Sequence, residues 1–139
     1  MKKDDCSFCK IANGEIPART IYEDDLFRVI LDLSPATKGH ALILPKEHFQ
    51  DLYDLGQEQA TALMLVAQKV GRHMKEVLGM DGLNLVQNNG EFAGQTMFHF
   101  HLHMIPRYEE DGNQDRLAWN HMDITPEELD ELYHKLEIK

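Results

Sequence analysis

The stretch that decides the fold reads His99-Phe100-His101-Leu102-His103-Met104-Ile105. In a β-strand successive side chains point to opposite faces, so the three histidines are predicted to share one face and Phe100, Leu102 and Met104 the other. The apolar face can pack under a helix. The histidine face could bind a metal through three neutral imidazoles, or it could hold a nucleophile with its supporting groups. A solvent-exposed face that merely contains histidines is the third interpretation, and the strict alternation argues against it.

The rest of the chain predicts a sheet interrupted by one long helix. Short runs rich in β-branched and apolar residues predict strands at 20–23, 27–32, 40–44, 82–87 and 98–106. Between Gln57 and Leu78 apolar residues recur at helical spacing, and Gly79 is placed to end that helix. Because the strands are separated mostly by turns, this order favours an antiparallel α+β sheet over a βαβ fold.

Shorter helices are predicted near both ends of the chain. Phe8 to Ile11 predicts a short turn of helix. Further on, Thr125 can cap a helix that begins with Pro126 and carries Glu128 at its third position, and this helix is predicted at about 126–136. We expect a single domain over residues 1–139, with a core at about 6–108 and a C-terminal tail.

Composition excludes several classes of protein. The chain has 139 residues, and 24 acidic against 14 basic residues give a net charge of −10. That balance argues against binding to nucleic acid or to an anionic membrane surface, so a bound phosphate would be attracted by local dipoles and histidines. We find neither an apolar run long enough to span a bilayer nor a signal-peptide core, and two cysteines do not make a disulfide scaffold. A cytoplasmic protein is expected.

The histidine stretch resembles the His-φ-His-φ-His-φ-φ signature of the histidine-triad (HIT) nucleotide-binding family, where φ is an apolar residue. Other segments also resemble HIT segments, among them Gly14–Ala18, Asp32–Pro35, Leu44–His48 and Gly94–Thr96. The resemblance covers residues 6–108, and the early C-x-x-C is similar to that of a Hint-like, bacterial-type branch. It implies a HIT-like antiparallel sheet with one long helix. It also implies a homodimer, in which the long helix and one strand of each subunit pair into a continuous sheet.

The resemblance implies covalent catalysis by the histidine triad. His101 would attack the α-phosphorus of a nucleotide and form a nucleotidyl-histidine that water resolves. A neutral imidazole is a competent nucleophile near neutral pH when its other nitrogen is held as N–H. His103 would donate to the phosphate or the leaving group, His99 is the first member of the triad, and His40 matches a fourth histidine behind it. His40 would fix the tautomer of a triad ring, or it is a strand-start histidine satisfied by neighbouring backbone.

The resemblance also implies a purine-nucleotide pocket. Asp32 matches the carboxylate that holds the ribose hydroxyls, and an acceptor-only group suits a diol. A turn-forming or helix-capping aspartate is the alternative. The residues that match polar groups around the phosphate are Asn88, Gln95 and Thr96. Asn88 also begins an Asn-Asn-Gly sequence that is good turn chemistry. The residues that match the apolar walls of the base pocket, each of which could equally be a core residue, are Phe8, Ile11 and Leu33.

Cys6-Ser7-Phe8-Cys9 forms a single C-x-x-C pair. By itself the pair is weak evidence for zinc, because the usual zinc module supplies a second closely spaced pair, and a redox pair or two free thiols are alternatives. Members of the resembled branch bind a structural zinc through this pair, the histidine of a Pro-Lys-x-His segment and the first triad histidine. The implied ligands here are Cys6, Cys9, His48 and His99. Such a closed set would brace the N-terminal segment, and no catalytic cofactor is expected.

The expected function is hydrolysis at the α-phosphate of purine nucleotide conjugates, such as phosphoramidates and acyl adenylates. A dinucleoside polyphosphate hydrolase of the same family is an alternative. Two alternatives from other classes are a metallohydrolase whose three triad histidines hold a catalytic metal, and a nucleotide-binding regulatory module with vestigial catalysis. Trp119 lies in the tail, and it is expected to influence substrate choice if the tail reaches the partner subunit's site.

Overall fold

The computed structural model describes residues 3–112, 117 and 120–138. The strands in this part of the chain are β1 (Thr20–Glu23), β2 (Phe27–Leu31), β3 (Ala41–Pro45), β4 (Gly82–Val86) and β5 (Leu102–Arg107). The α-helices are α1 (Ser7–Ala12), α2 (Gln57–Leu78) and α3 (Pro126–Leu136). The strands form one sheet in the order β1-β2-β3-β5-β4, with every neighbouring pair antiparallel. The predicted antiparallel α+β architecture is confirmed.

The helices follow their local sequence signals. α2 has the predicted bounds, and Gly79 ends it in the left-handed conformation at φ 63°, where its N–H bonds to the carbonyl of Lys75. α3 begins with a complete capping box, in which Thr125 and Glu128 bond reciprocally to each other's backbone. None of the helices in the described ranges has the length and apolar character needed to cross a bilayer.

The strand with the histidines begins later than the alternation predicted. β5 starts at Leu102, so His99 and His101 precede it and the two-residue alternation does not set their orientation. The β3–β5 ladder ends at the pair Ile43 and Leu102. Ahead of this pair, the N–H of Phe100 donates to the carbonyl of Phe49 in the loop after β3. β3 ends at Pro45, whose missing N–H cannot extend a ladder.

The two faces of the sheet are covered by different helices. On one face, Leu102 and Met104 pack in a core with Val66 and Val70 of α2, as predicted for these two residues of the histidine stretch. On the other face, α1 covers a smaller cluster whose buried members are Ala12, Ile30, Leu42 and Leu44. β3 is buried along its whole length because it lies at the centre of the sheet and is covered on both faces.

Candidate active site

The candidate site lies on the face of the sheet that α1 covers. His103 in β5 pairs with Leu42 of β3, and directly paired residues point to the same face, so His103 shares the face of the smaller cluster. Asp32 follows β2 and His40 precedes β3, and the N–H of Asp32 bonds to the carbonyl of His40 at 2.9 Å. The antiparallel pairing of β2 and β3 therefore brings Asp32 and His40 together at one end of the sheet.

His101 is held with one ring nitrogen free. Its Nδ1 lies 2.8 Å from the carbonyl oxygen of His99, which can only accept, so Nδ1 carries the proton and Nε2 keeps its lone pair. The ring is 9% exposed, and it lies between the rings of Phe8 and His103 at centroid distances of 5.1 and 5.0 Å. Burial lowers the pKa of His101, which keeps the ring neutral at neutral pH. A neutral ring with a free Nε2 is the nucleophilic form of histidine.

The tautomer of His103 is set through His40. The backbone N–H of Ala36 donates to Nδ1 of His40 at 2.9 Å, so the proton of a neutral His40 is on Nε2. That Nε2–H donates to Nδ1 of His103 at 2.9 Å, and the proton of His103 is therefore on Nε2. Burial lowers the pKa of His103 to about 4, and the repulsion of His101 and His40 adds to this effect. His103 is thus a neutral hydrogen-bond donor through Nε2.

The same hydrogen bonds also determine whether these residues can bind a metal. Asp32, His40 and His103 form a group whose potential ligand atoms lie within 4.8 Å of one another. Binding a metal through Nε2 of His40 would move its proton to Nδ1, where the N–H of Ala36 already points. This group is therefore better suited to hydrogen bonding among its members than to binding a metal. The three triad histidines do not form a joint ligand group within the described residues, contrary to the metallohydrolase alternative.

A second cluster has the donor set of a structural metal site. Its potential ligand atoms all lie within 4.8 Å of one another, and its members are Cys6, Cys9, His48 and His99. Nδ1 of His99 lies 3.4 and 3.3 Å from the two sulfur atoms, and Nδ1 of His48 lies 3.2 Å from Sγ of Cys9. In a tetrahedral zinc site, metal bonds of the usual length place sulfur and nitrogen about 3.5 Å apart.

The protonation of this cluster also fits a metal. Nε2 of His99 donates to the carbonyl of Pro45 at 2.9 Å, which leaves Nδ1 unprotonated and directed at the sulfur atoms. Burial raises the pKa of the Cys9 thiol to about 11, so a thiolate at this position requires a cation beside it. Two sulfur and two nitrogen donors in this state form a closed ligand set for zinc.

The predicted phosphate-binding residues lie in the loop between β4 and β5. Gln95 is 2% exposed, and its side chain accepts from the N–H of Gly90 and donates to the carbonyls of Gln50 and Met97. These bonds occupy its polar atoms, so its side chain shapes the loop and has no free group for a phosphate. Thr96 is exposed beside it. The amide of Asn88 lies beside Gly94, where a Cβ would be 3.5 Å from its nitrogen.

The predicted base-pocket residues are placed differently from one another. Phe8 and Ile11 pack on the smaller cluster, and the edge of the Phe8 ring meets the His101 ring. Leu33 is 85% exposed in the loop after β2, where it has the room to contact a ligand but no place in the core. Trp119 lies outside the described residues.

The HIT domain family matches this chain over residues 13–110. The chain belongs to the HIT family. Protein hit of Bacillus subtilis is 39% identical over 127 residues, which cover 91% of this chain and 88% of the relative. Adenosine 5′-monophosphoramidase hnt1 of Schizosaccharomyces pombe is 35% identical over 134 residues, covering 96% and 97%. Adenylylsulfatase HINT3 of Arabidopsis thaliana is 41% identical over 109 residues, covering 78% of this chain and 55% of that relative.

Solved structures agree with the HIT assignment. A crystal structure from Streptococcus mutans matches with a TM-score of 0.90 at 37% identity, covering 97% of this chain and 85% of that one. A zinc-bound histidine triad family protein from Mycobacterium smegmatis matches with a TM-score of 0.73 at 41% identity, covering 89% and 87%. The predicted family and its fold are confirmed, and the C-x-x-C pair of the predicted branch is present.

Sequence reasoning allowed His40 a partner in the neighbouring backbone, but it did not identify which backbone groups orient the histidines of this HIT site. The carbonyl of His99 orients His101, the carbonyl of Pro45 orients His99, and the amide of Ala36 orients His40. Every residue carries such groups, so no pattern of residue types marks the ones that will face a histidine ring. Their positions follow from where the β2–β3 loop and the segment before β5 come to lie.

Proposed function

We propose that this HIT protein hydrolyses purine nucleotide conjugates at the α-phosphate through a covalent intermediate on His101. The observation that carries the proposal is the buried His101 ring, whose Nδ1–H is held by the His99 carbonyl and whose Nε2 is free. In the first step a bond forms between Nε2 and phosphorus, and the bond from phosphorus to the leaving group breaks. An amine leaving group departs with one proton taken from solvent. In the second step water displaces the histidine, and one proton returns to solvent.

The neighbouring groups supply binding and charge stabilisation in this proposal. The Nε2–H of His103 donates a hydrogen bond to the phosphoryl or leaving-group oxygen, where negative charge develops. The Asp32 carboxylate accepts from the ribose hydroxyls, and Asn88 and Thr96 contact the phosphate. Asp32 already uses Oδ1 to accept from the N–H of Ser34 at 2.8 Å, so its turn role and its ribose role coexist on different oxygens.

The electrostatics of the site favour an α-phosphate with an uncharged leaving group. Burial lowers the pKa values of His101 and His103. The negative charge of Asp32 opposes this shift in both rings. The neutral donor on His103 suits a singly charged phosphate better than a polyphosphate chain. The name of the adenosine 5′-monophosphoramidase relative agrees with this class of substrate, because its leaving group is an amine. We therefore place dinucleoside polyphosphates second.

We propose that Cys6, Cys9, His48 and His99 hold a structural zinc. The support is the convergence of the four donors, the unprotonated Nδ1 of His99 and the zinc-bound relative. A zinc ion there would clamp α1 to the segment before β5 and leave His101 and His103 to act without a metal.

We also propose that the protein is a homodimer. α2 exposes Met64 and Leu65, and Leu85 is exposed on β4, which is an edge of the sheet. These side chains line a groove of about 620 Å³ between α2 and β4. A second copy would cover the groove and could pair with the open edge of β4, which an isolated chain leaves without partners.

The proposal is tested by AMP release from adenosine 5′-phosphoramidate, with and without EDTA. We expect turnover that survives EDTA and falls by at least about a thousandfold in H101A. Mass spectrometry after alkaline quenching should find one adenylyl group on the wild type and none on the variant. H73A, at an exposed position on α2, is the matched control and should behave as wild type.

Other outcomes distinguish the alternatives. Turnover confined to dinucleoside polyphosphates would replace the proposed substrate class. Tight AMP binding with no turnover of either substrate would support the regulatory binding module. Loss of turnover in EDTA while the protein remains folded would contradict metal-independent chemistry, whereas loss accompanied by unfolding would indicate removal of the structural zinc.

A further inference from the structure

We propose that Asp32 is a positioning residue for His103, acting through His40, in addition to binding the ribose. This inference rests on the proposed function and deepens it. It makes the ribose-binding loop and the phosphoryl-transfer centre one hydrogen-bonded unit.

The geometry gives the two oxygens of Asp32 different partners. Oδ1 accepts from the N–H of Ser34 at 2.8 Å, which holds the carboxylate in a fixed orientation. Oδ2 lies 3.5 Å from Nε2 of His40, the same nitrogen that donates to His103 at 2.9 Å. The proton on His40 therefore has a close acceptor in His103 and a more distant anion in Asp32.

The negative charge of Asp32 favours a protonated Nε2 on His40 over the opposite tautomer. The amide of Ala36 acts in the same direction from the other side of the ring, because it needs an unprotonated Nδ1. With both partners in place His40 has one tautomer, and His103 always presents Nε2–H to the substrate. Without Asp32 the orientation of His40 rests on a single backbone hydrogen bond.

The ring of His40 is sterically confined as well. It is 6% exposed, and its ring centroid lies 5.1 Å from that of His103. The loop that carries Ala36 is held down by Thr37, whose hydroxyl donates to the carbonyl of Pro106 at 2.6 Å. A change at Asp32 is therefore transmitted to His103 through a ring that cannot easily turn away.

The test separates this role from ribose binding by removing the ribose hydroxyls. The full-length, zinc-loaded protein is given adenosine 5′-phosphoramidate and its 2′,3′-dideoxy analogue, and the single-turnover rate of adenylyl-His101 formation is measured at saturation. Asparagine offers one acceptor oxygen where aspartate has two, so D32N cannot serve both Ser34 and His40. On the dideoxy substrate we expect D32N to be slower than wild type by about tenfold. D25N removes an exposed carboxylate in the β1–β2 turn and should match wild type.

Two further measurements complete the test. In an H40A background, D32N should cause no additional loss on the dideoxy substrate. Nitrogen-15 NMR of the histidine rings, without substrate, should show a single tautomer for His40 and His103 in wild type and a mixture in D32N. D32S is the second variant if D32N does not fold.

Results that would overturn the positioning role of Asp32 differ from those that would overturn the proposed function. Equal rates of D32N and wild type on the dideoxy substrate, or unchanged NMR tautomers, would limit Asp32 to the ribose contact. A loss that persists at the same size in the H40A background would also overturn the inference. Absence of adenylyl-His101 with either substrate in wild type would instead overturn the proposed function, and the NMR result would still decide the role of Asp32.

Discussion

The histidines of the site differ in which ring nitrogen is free. In His99 the free nitrogen is Nδ1, which faces two sulfur atoms. In His101, two residues further along the chain, the free nitrogen is Nε2. His103 has neither free, because Nδ1 accepts from His40 and Nε2 carries the proton. Three residues of one type are thereby suited to a metal ligand, a nucleophile and a hydrogen-bond donor. Each difference is due to one hydrogen bond from outside the ring.

The low pKa of His103 predicts that the protein loses stability in mild acid. Burial lowers that pKa from 6.5 to about 4, so between these values an unfolded chain binds a proton that the folded one does not. The free energy of unfolding therefore falls as the pH falls through this window. H103Q removes this contribution, and urea denaturation at several pH values should give a shallower dependence than in wild type. The proposed zinc ligands are common to both proteins, so equal slopes would contradict the prediction.

Gln95 is predicted to stabilise the loop that holds the proposed phosphate contacts. Its replacement by alanine leaves the N–H of Gly90 and the carbonyls of Gln50 and Met97 without their partner. We expect Q95A to lower the free energy of unfolding by roughly 2 kcal/mol and to raise KM for the phosphoramidate. Q57A, at an exposed position on α2, is the control and should change stability little. Wild-type stability in Q95A would mean that water replaces these bonds.

Among the elements, α1 depends most on its surroundings. It has six residues, too few to be a stable helix alone. Its side chains Phe8 and Ile11 pack on the smaller cluster, and Cys9 together with the N-cap residue Cys6 faces His48 and His99. A metal at the cysteines would hold the helix at its start and the apolar contacts would hold it along its length.

Removal of the zinc ligands is predicted to loosen α1. C9S should abolish the binding of one zinc per chain, measured by atomic emission, because serine is a poor zinc ligand. Loss of the packing of Phe8 and Ile11 would cost about 3 kcal/mol, which lowers Tm by about 10 °C in a domain of this size. C9S that still carries stoichiometric zinc and melts as wild type would contradict the assignment. S7A, exposed in the same helix, is the control.

The end of α2 gives a prediction about a single glycine. Gly79 has φ 63°, and a Cβ there would meet nothing within 4 Å, so the cost of a side chain is conformational and not steric. We expect G79A to lower the free energy of unfolding by about 1 kcal/mol. Asparagine tolerates this conformation better, so G79N should fall between G79A and wild type in thermal denaturation. If G79A were more stable than G79N, α2 would not end in a left-handed residue at position 79.

At the scale of the whole molecule, the sheet assembles the site from segments far apart in the chain. Asp32, His40 and His103 come from the ends of β2 and β3 and from β5. The site lies on the α1 face, whereas the exposed apolar groove lies between α2 and β4. The proposed catalysis and the proposed subunit contact can therefore be altered separately.

If the groove between α2 and β4 is the dimer interface, a single charged residue placed in it should disrupt the dimer. M64E or L85K would place a charge among apolar side chains in the proposed interface, and either should shift the protein to monomer in analytical ultracentrifugation. L52K, at an exposed position in the loop before α2, is the control and should leave the mass unchanged. Dimers that persist in both groove variants would place the interface elsewhere.

Much of the fold could be predicted from local signals. The C-terminal cap of α2, the N-terminal cap of α3 and the short strands were identified from residue types next to one another, because those signals act within one turn or one strand. The start of β5 could not be predicted from local signals. The alternation continues through His99 and His101, although no partner strand pairs with them there. The hydrogen bonds of the Gln95 side chain were also not predicted, because two of their partners are backbone groups of its own loop and the third, the carbonyl of Gln50, is distant in sequence.

The sequence by itself determined the family, the antiparallel α+β class and the cysteines, histidines and aspartate that the structure places in two clusters. It did so because helix and strand periodicity, caps and the triad motif are written in residue types. Only the tertiary structure decided which nitrogen of each histidine is free, that His99 faces the cysteines through Nδ1, and that Asp32 lies beside His40. These features depend on backbone groups and on the meeting of distant segments, and neither is marked by the identity of any one residue.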